Sequence, residues 1–393
     1  MNDQPELRVT LITHYFPAHQ GGVESVAFQL ARRMCERRVE ITWFASDVDS
    51  PPQHLPGLKI VPVRASNFIE RRMHLPYPIW SVLDLPSIWR AIRHADVVHL
   101  HDFIYMGSLA AFSFAKLLRK PVVITQHIGS IPYKLRLMTK ALQLINRLVG
   151  ARMLRYADRA IFISSSVQQY FASLTRFTRI PQFIPNGVDS DTFVFRDRER
   201  RSSIRYTLNF SDDQLVLLFV GRFVEKKGLH FLKELARRNT NCRWVFAGAG
   251  PLDPQLWDLP NVCVYRGLQG SSLAELYCAA DVLILPSKGE GFPLVVQEAM
   301  SCGTPALIDV AIVAAFPAIA AHVFAEAMDD VGALEKWNDA IQKFSSDRMR
   351  LADMRAAVAS FAREHWSWEK CVEEYLRVFR QIRLDANRVQ SKL

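Results

Sequence analysis

The sequence predicts an α/β protein made of two doubly wound domains, and three observations carry that prediction. Apolar runs of strand length alternate with helical stretches through the first half of the chain. After the turn-forming Pro185-Asn186-Gly187, the same alternation starts again. Finally, at roughly 150 residues per domain, a chain of 393 residues has room for two or three.

In the first half, strands are expected at 8–13 (RVTLIT), 39–45 (VEITWFA), 96–100 (DVVHL), 121–125 (PVVIT) and 159–163 (RAIFI). Helices are expected at 25–37, 87–94, 107–118 and across 134–157. Apolar strands separated by helices pair in parallel, with helices on both faces of the sheet. Pro-Asn-Gly is strong turn chemistry, and the charged, weakly periodic segment 196–205 follows it, so the domain boundary is placed here. In the second half, strands are expected at 215–220 (LVLLFV), 243–247, 262–265, 281–285 and 306–308. The stretch 367–382 reads as an amphipathic helix. The expected domains are therefore 1–188 and 189–366, with a terminal helix over 367–393 crossing back to the first domain.

Composition narrows the function. A hydrophobic share of 49% excludes a disordered chain, which would lack the apolar surface to offset its ordering entropy. The net charge of +10 points to an anionic partner, whether nucleic acid, acidic lipid or a phosphorylated small molecule. Six scattered cysteines form no C-x-x-C pair, so neither a zinc site nor a disulfide framework is expected, and a reducing compartment is the default. The polar start of the chain leads straight into a strand, so no signal peptide is expected. The longest apolar run, 310–321, is interrupted by Pro317 and falls short of the ~20 residues a membrane span needs. A cytoplasmic protein is expected, bound to a membrane at most by its surface.

Ligands of doubly wound folds bind at the carboxyl ends of parallel strands, in the loops that follow them. Gly21-Gly22-Val23-Glu24 lies between the first strand and its helix. There it is either a tight turn or a place where backbone N–H groups meet a phosphate. Gly221-Arg222 through Lys227-Gly228 follows the apolar strand 215–220. It reads as a solvated charged turn or as a site that neutralises a diphosphate. Gly248-Ala249-Gly250-Pro251 opens like a dinucleotide fingerprint, but Pro251 follows directly and no third glycine is in place. Glu290 to Glu298 follows the strand 281–285 and opens a helix to Met300. Backbone N–H groups of Gly291, Phe292, Leu294 and Val295 can face an anion, whereas Pro293 has none. Glu298, expected two turns into that helix, is placed to reach a ribose diol.

In order and spacing, these pieces resemble glycosyltransferase family 4. They are Gly21-Gly22-Val23-Glu24, Asn186-Gly187-Val188-Asp189, Gly221-Arg222 with Lys227-Gly228, Gly248-Ala249-Gly250-Pro251, Ala280-Asp281, Pro286-Ser287, Glu290-Gly291-Phe292, Glu298-Ala299-Met300 and Gly303-Thr304-Pro305. The resemblance covers nearly the whole chain. It implies the GT-B fold, two Rossmann-like domains facing a central cleft. It also implies retaining transfer of a hexose-type sugar from a UDP- or GDP-sugar, usually without a metal, to a glycan or lipid-linked acceptor in bacterial surface polysaccharide or glycolipid synthesis. Glu290 and Glu298 match the family's pair of glutamates eight apart, one by the donor sugar and the other on the ribose. Arg222 and Lys227 match the pair that holds the diphosphate, and His127 matches a histidine that contacts the donor sugar. The resemblance assigns no protein nucleophile; the departing phosphate takes the acceptor proton. The chain departs from the pattern after Pro305, where the family carries a Gly-Gly turn and this sequence has no glycine from Ala306 to Ala315.

Other signals compete. As residues alone, His127 also reads as a core histidine. Asp47-Val48-Asp49 spells a metal-binding D-x-D but ends a strand of the first domain, so an acidic surface loop is expected. His99, His101 and Asp102 are metal-ligand types, but the two histidines are expected to face opposite ways from the strand end, leaving a cleft-lining role for one at most. Ser391-Lys392-Leu393 matches a peroxisomal address, and Asn209-Phe210-Ser211 a glycosylation sequon; both are read as coincidence. In 134–157, Leu137, Ala141, Leu144 and Leu148 form one stripe beside Lys134, Arg136, Lys140, Arg147, Arg152 and Arg155. This is either a core helix with a solvated rim or an interfacial helix on anionic lipid. A nucleotide-sugar 2-epimerase and a non-catalytic nucleotide-sugar binder are the alternative functions. Nucleic acid is not expected, because the basic stretch lacks interleaved aromatics.

Overall fold

The computed structural model describes residues 5–19, 21–73, 75–129, 136–287 and 292–390; the side chains of 73, 136–138, 389 and 390 lie outside the description. Glu290, Gly291, Lys134 and Ser391–Leu393 fall outside it as well. The chain forms two compact units, Met1–Asn186 with Trp368–Leu393, and Gly187–Ser367.

The first unit holds strands β1 (Leu7–Ile12), β2 (Val39–Ser46), β3 (Leu58–Val63), β4 (Ala65–Ser66), β5 (Ile79–Trp80), β6 (Val97–His101), β7 (Val122–Gln126), β8 (Arg159–Phe162) and β9 (Gln182–Phe183). Seven of them form a parallel sheet in the order β3-β2-β1-β6-β7-β8-β9, while β4 and β5 pair separately and antiparallel. Residues of β6 and β7 are buried on both faces, as helix-covered parallel strands require. Sequence reading missed β3, whose Pro62 breaks the strand pattern; it is tolerated because β3 sits at the sheet edge. Helix Trp368–Gln390 belongs to this unit. Its Tyr375 hydroxyl lies 3.1 Å from Thr125 Oγ1, and Arg380 pairs with Glu6.

The second unit holds β10 (Val216–Val220), β11 (Arg243–Ala247), β12 (Val262–Tyr265), β13 (Val282–Leu285), β14 (Ala306–Asp309) and β15 (Phe324–Glu326). The parallel order is β12-β11-β10-β13-β14-β15. In both units the strand order reverses direction beside the first strand, next to β6 in one and β13 in the other, which is where such sheets open a ligand crevice. The charged segment read as a boundary is a helix, Arg198–Thr207, capped by Asp197. It stays because buried Arg205 reaches Asp281 and the carbonyls of Ala279, Ser211 and Gln214.

The departure after Pro305 has a structural counterpart. Asp309 ends β14 and caps a short helix, Val310–Ala315, by accepting from Ala311 N at 2.8 Å. Its second oxygen accepts from Met328 N at 2.9 Å. A side-chain cap here needs no left-handed backbone, so no glycine is required.

Candidate active site

In the second unit, the loops after β10, β11 and β13 meet. Gly221 N donates to Ala247 O (3.0 Å) and Phe223 N to Ala249 O (2.8 Å), which locks the arginine-bearing loop to its neighbour. A Cβ on Gly248 would run into Gly221 O, and one on Gly250 into Phe223 O, so backbone packing alone requires both glycines. Gly228 has φ +75°, and a Cβ there would lie 2.6 Å from Pro286 O. The short turn carrying Lys227 is thereby pressed against the residues just before 288. Arg222 is exposed and Lys227 half-buried. Past the undescribed residues, the buried Phe292 ring stacks on Phe316 and lies tilted against Trp366, so its side chain is spent on packing. The helix starts at Leu294, with Pro293 as its N-cap, and ends at Ser301. Glu298 therefore lies one turn in, not two. The N–H groups of Leu294 and Val295 are in the first turn, which the helix itself leaves unsatisfied. Burial pushes the Glu298 carboxyl up to about 7, against a hydrogen bond from Tyr277.

At the carboxyl end of the first unit's sheet, imidazoles gather. His127, one residue past β7, is buried with Nε2 2.9 Å from His101 Nδ1. Burial drives His127 and His99 to about 3 and His101 well below its usual value, so all three rings are neutral. Asp102 adopts φ +59°. Its Oδ1 accepts from His127 N (2.8 Å) and Ile128 N (3.3 Å), fixing the backbone on which His127 sits. Burial raises this carboxyl to about 6. The expectation that His99 and His101 face opposite ways needs correcting: two residues apart on β6 they share a face, with ring centroids 4.5 Å apart, and His101 meets His127 from the adjacent β7. Among the described residues, no group of three or more His, Cys, Asp or Glu is placed to hold a metal ion.

Gly21 and Gly22 cap and open helix Gly22–Cys35. A Cβ on Gly21 would strike the Glu24 carboxylate, whereas a Cβ on Gly22 would meet nothing within 4 Å. The first glycine is thus explained by the protein, and the second leaves open space. Burial disfavours the Glu24 carboxylate, but the 2.9 Å contact with His14 holds it below the usual carboxylate range. Sequence reading passed over His14, which only the fold places against Glu24. The D-x-D residues are used locally, Asp47 accepting from Ala65 N and Asp49 pairing with His19.

Two family profiles match: the one described as Glycosyltransferase Family 4 over residues 20–192, and the one described as Glycosyl transferases group 1 over 200–365. The chain belongs to glycosyltransferase family 4. A D-inositol 3-phosphate glycosyltransferase of Xylanimonas cellulosilytica is 27% identical, with 92% of each chain covered. Sucrose-phosphate synthase from Thermosynechococcus elongatus matches this family member with a TM-score of 0.74 at 18% identity, covering 96% of this chain and 99% of the other. HepE from Anabaena, crystallised with UDP-glucose, matches with a TM-score of 0.70 at 15% identity, covering 99% and 100%. The fold is GT-B, and the activity is glycosyl transfer.

Proposed function

We propose that this glycosyltransferase retains configuration and moves a hexose-type sugar from a UDP- or GDP-sugar to a glycan or lipid-linked acceptor in bacterial surface polysaccharide or glycolipid synthesis. The observation that carries the donor reading is the convergence of Arg222, Lys227 and the helix start at Leu294 at the carboxyl ends of β10 and β13. As the bond to the sugar breaks, negative charge grows on the diphosphate. Fixed cations and helix N–H groups stabilise it where it forms. In this reading they do the work a divalent ion does elsewhere, and no metal or other cofactor is needed. Glu298 takes the ribose, and Glu290, His127, Gly21 and Gly22 keep the donor-side roles that the resemblance implies. A 2-epimerase or a pure binder would use the same nucleotide contacts but transfer nothing.

Thermal shift against nucleotide-sugars, followed by donor turnover with and without chelator, tests the reading. A donor that raises stability by mass action and is consumed in chelator is expected. Abolition by chelator with rescue by manganese would overturn the metal-free reading, and binding without any turnover would favour the binder.

A membrane-surface role for 134–157 has its own support. The described part, Arg136–Ile145 and Ala151–Tyr156 joined by a π-helical turn, does not bury the apolar stripe: Leu144 is 56% and Leu148 47% exposed, with Ile145 and Tyr156 also exposed. Lys140, Arg147, Arg152 and Arg155 are exposed around them. Apolar side chains among cations suit an anionic lipid surface. No described helix is long and apolar enough to cross a membrane.

A further inference from the structure

Tyr277 is fully buried in helix Gly270–Ala279, and its hydroxyl donates to Glu298 Oε2 at 2.9 Å. Glu298 belongs to a different helix, Leu294–Ser301, and the strand β13 separates the two in sequence. The phenol is held firmly. Thr304 Oγ1 donates to Tyr277 O at 2.6 Å, Phe193 packs edge-on against the ring, and Arg355 binds the carbonyls of Cys278 and Cys302, the residues beside each helix end. Thr304 N in turn donates to Ala299 O, so the Gly-Thr-Pro segment links both helices. Among the described residues, the other carboxylate oxygen, Oε1, receives no hydrogen bond.

We infer that Tyr277 is a positioning residue for the donor: it fixes one oxygen of Glu298 so that the other is presented to the ribose diol. The inference rests on Glu298 being the ribose ligand. A half-buried carboxylate free to rotate would spread over several rotamers and lose affinity on ordering. The phenol removes that freedom in advance and opposes the burial that favours the protonated acid, the form with one fewer acceptor site.

The test is the affinity of the full-length protein for UDP, GDP and ADP and for the 2′,3′-dideoxy form of each, measured by calorimetry on wild type and Tyr277→Phe. Hydrogen bonds to a charged group set the scale, so wild type should prefer the tighter ribose nucleotide over its dideoxy form by about 10- to 100-fold. Tyr277→Phe should lose about 5- to 10-fold on the ribose nucleotide and keep its dideoxy affinity. In a Glu298→Gln background, the tyrosine change should cost nothing further. Equal weakening toward both ligands, or no weakening, would overturn the positioning role while leaving Glu298 on the ribose. No preference in wild type, or no binding of any diphosphate, would overturn the ribose reading and the tyrosine role with it. If Tyr277→Phe fails to fold, Glu298→Asp carries the test, since it keeps the charge but withdraws it from the phenol. Lost ribose preference is expected there, and retained preference would contradict the inference.

Discussion

The two sheets share a topology but arm their carboxyl ends oppositely. The first unit places buried, neutral imidazoles there: His99, His101 and His127, stiffened by Asp102. The second places an exposed arginine and a half-buried lysine there, glycines packed against neighbouring backbone, and one carboxylate pushed up toward neutrality. The crevice location is a property of the winding and the chemistry a property of the loops. Neutral, oriented imidazoles suit hydroxyl groups, whereas cations suit a diphosphate, so the two ends offer different chemistry on one winding.

The largest effect that sharpens this contrast is catalytic. Arg222→Ala or Lys227→Ala should lower donor turnover by about 100- to 1,000-fold while the melting temperature changes little. Near-normal turnover in either folded variant would remove the cations from the donor reading.

Next comes the surface of the first unit. Reversing Lys140, Arg147 and Arg152 together to Glu should weaken partition onto phosphatidylserine vesicles by on the order of 100-fold, at about 1 kcal/mol per cation. Nucleotide affinity should be unchanged. Cosedimentation at two salt concentrations reads it out, and equal binding of mutant and wild type would return the exposed leucines to ordinary surface.

The third prediction sets the units against each other in pH. The histidines of the first unit have folded values below their unfolded one. Between about pH 3 and 6.5 the unfolded chain therefore binds more protons, and stability falls as pH falls. Asp102, raised to about 6, opposes this, but it is one group against three. Glu298 in the second unit is raised, so its folded form holds the proton longer and stability falls as pH rises from about 4.5 through 7. Calorimetry from pH 5 to 7 should show the first unit's transition rising and the second's falling, with Glu298→Gln flattening the latter. Parallel movement of both transitions would break the comparison.

The smallest effect concerns the turn after β14. Asp309→Ala should cost the second unit about 1–2 kcal/mol through loss of the helix cap and the Met328 anchor. A chemical-denaturation curve measures it.

The alternation of strand and helix was legible because both periodicities are local. The strands 243–247 and 262–265 fall where the pattern puts them. The edge strands β3 and β9 and the helix Arg198–Thr207 were not, since Pro62, a two-residue strand and an arginine-rich helix are rescued by tertiary partners. The site divides the same way. Arg222, Lys227 and Glu298 stand out because each follows an apolar strand. The His101–His127 contact and the Tyr277–Glu298 bond join different strands or helices, and no spacing rule encodes them.

The central claim is that the second unit's cations hold a diphosphate. Its most direct test is calorimetric titration of wild type and the Arg222→Ala/Lys227→Ala double variant with UDP, GDP and ADP, alongside the corresponding nucleosides, in chelator. The account predicts that wild type binds at least one diphosphate far more tightly than its nucleoside, and that the double variant erases this difference while keeping the nucleoside affinity. A double variant that still prefers the diphosphate, or a wild type that binds it only when manganese is added, would contradict the account.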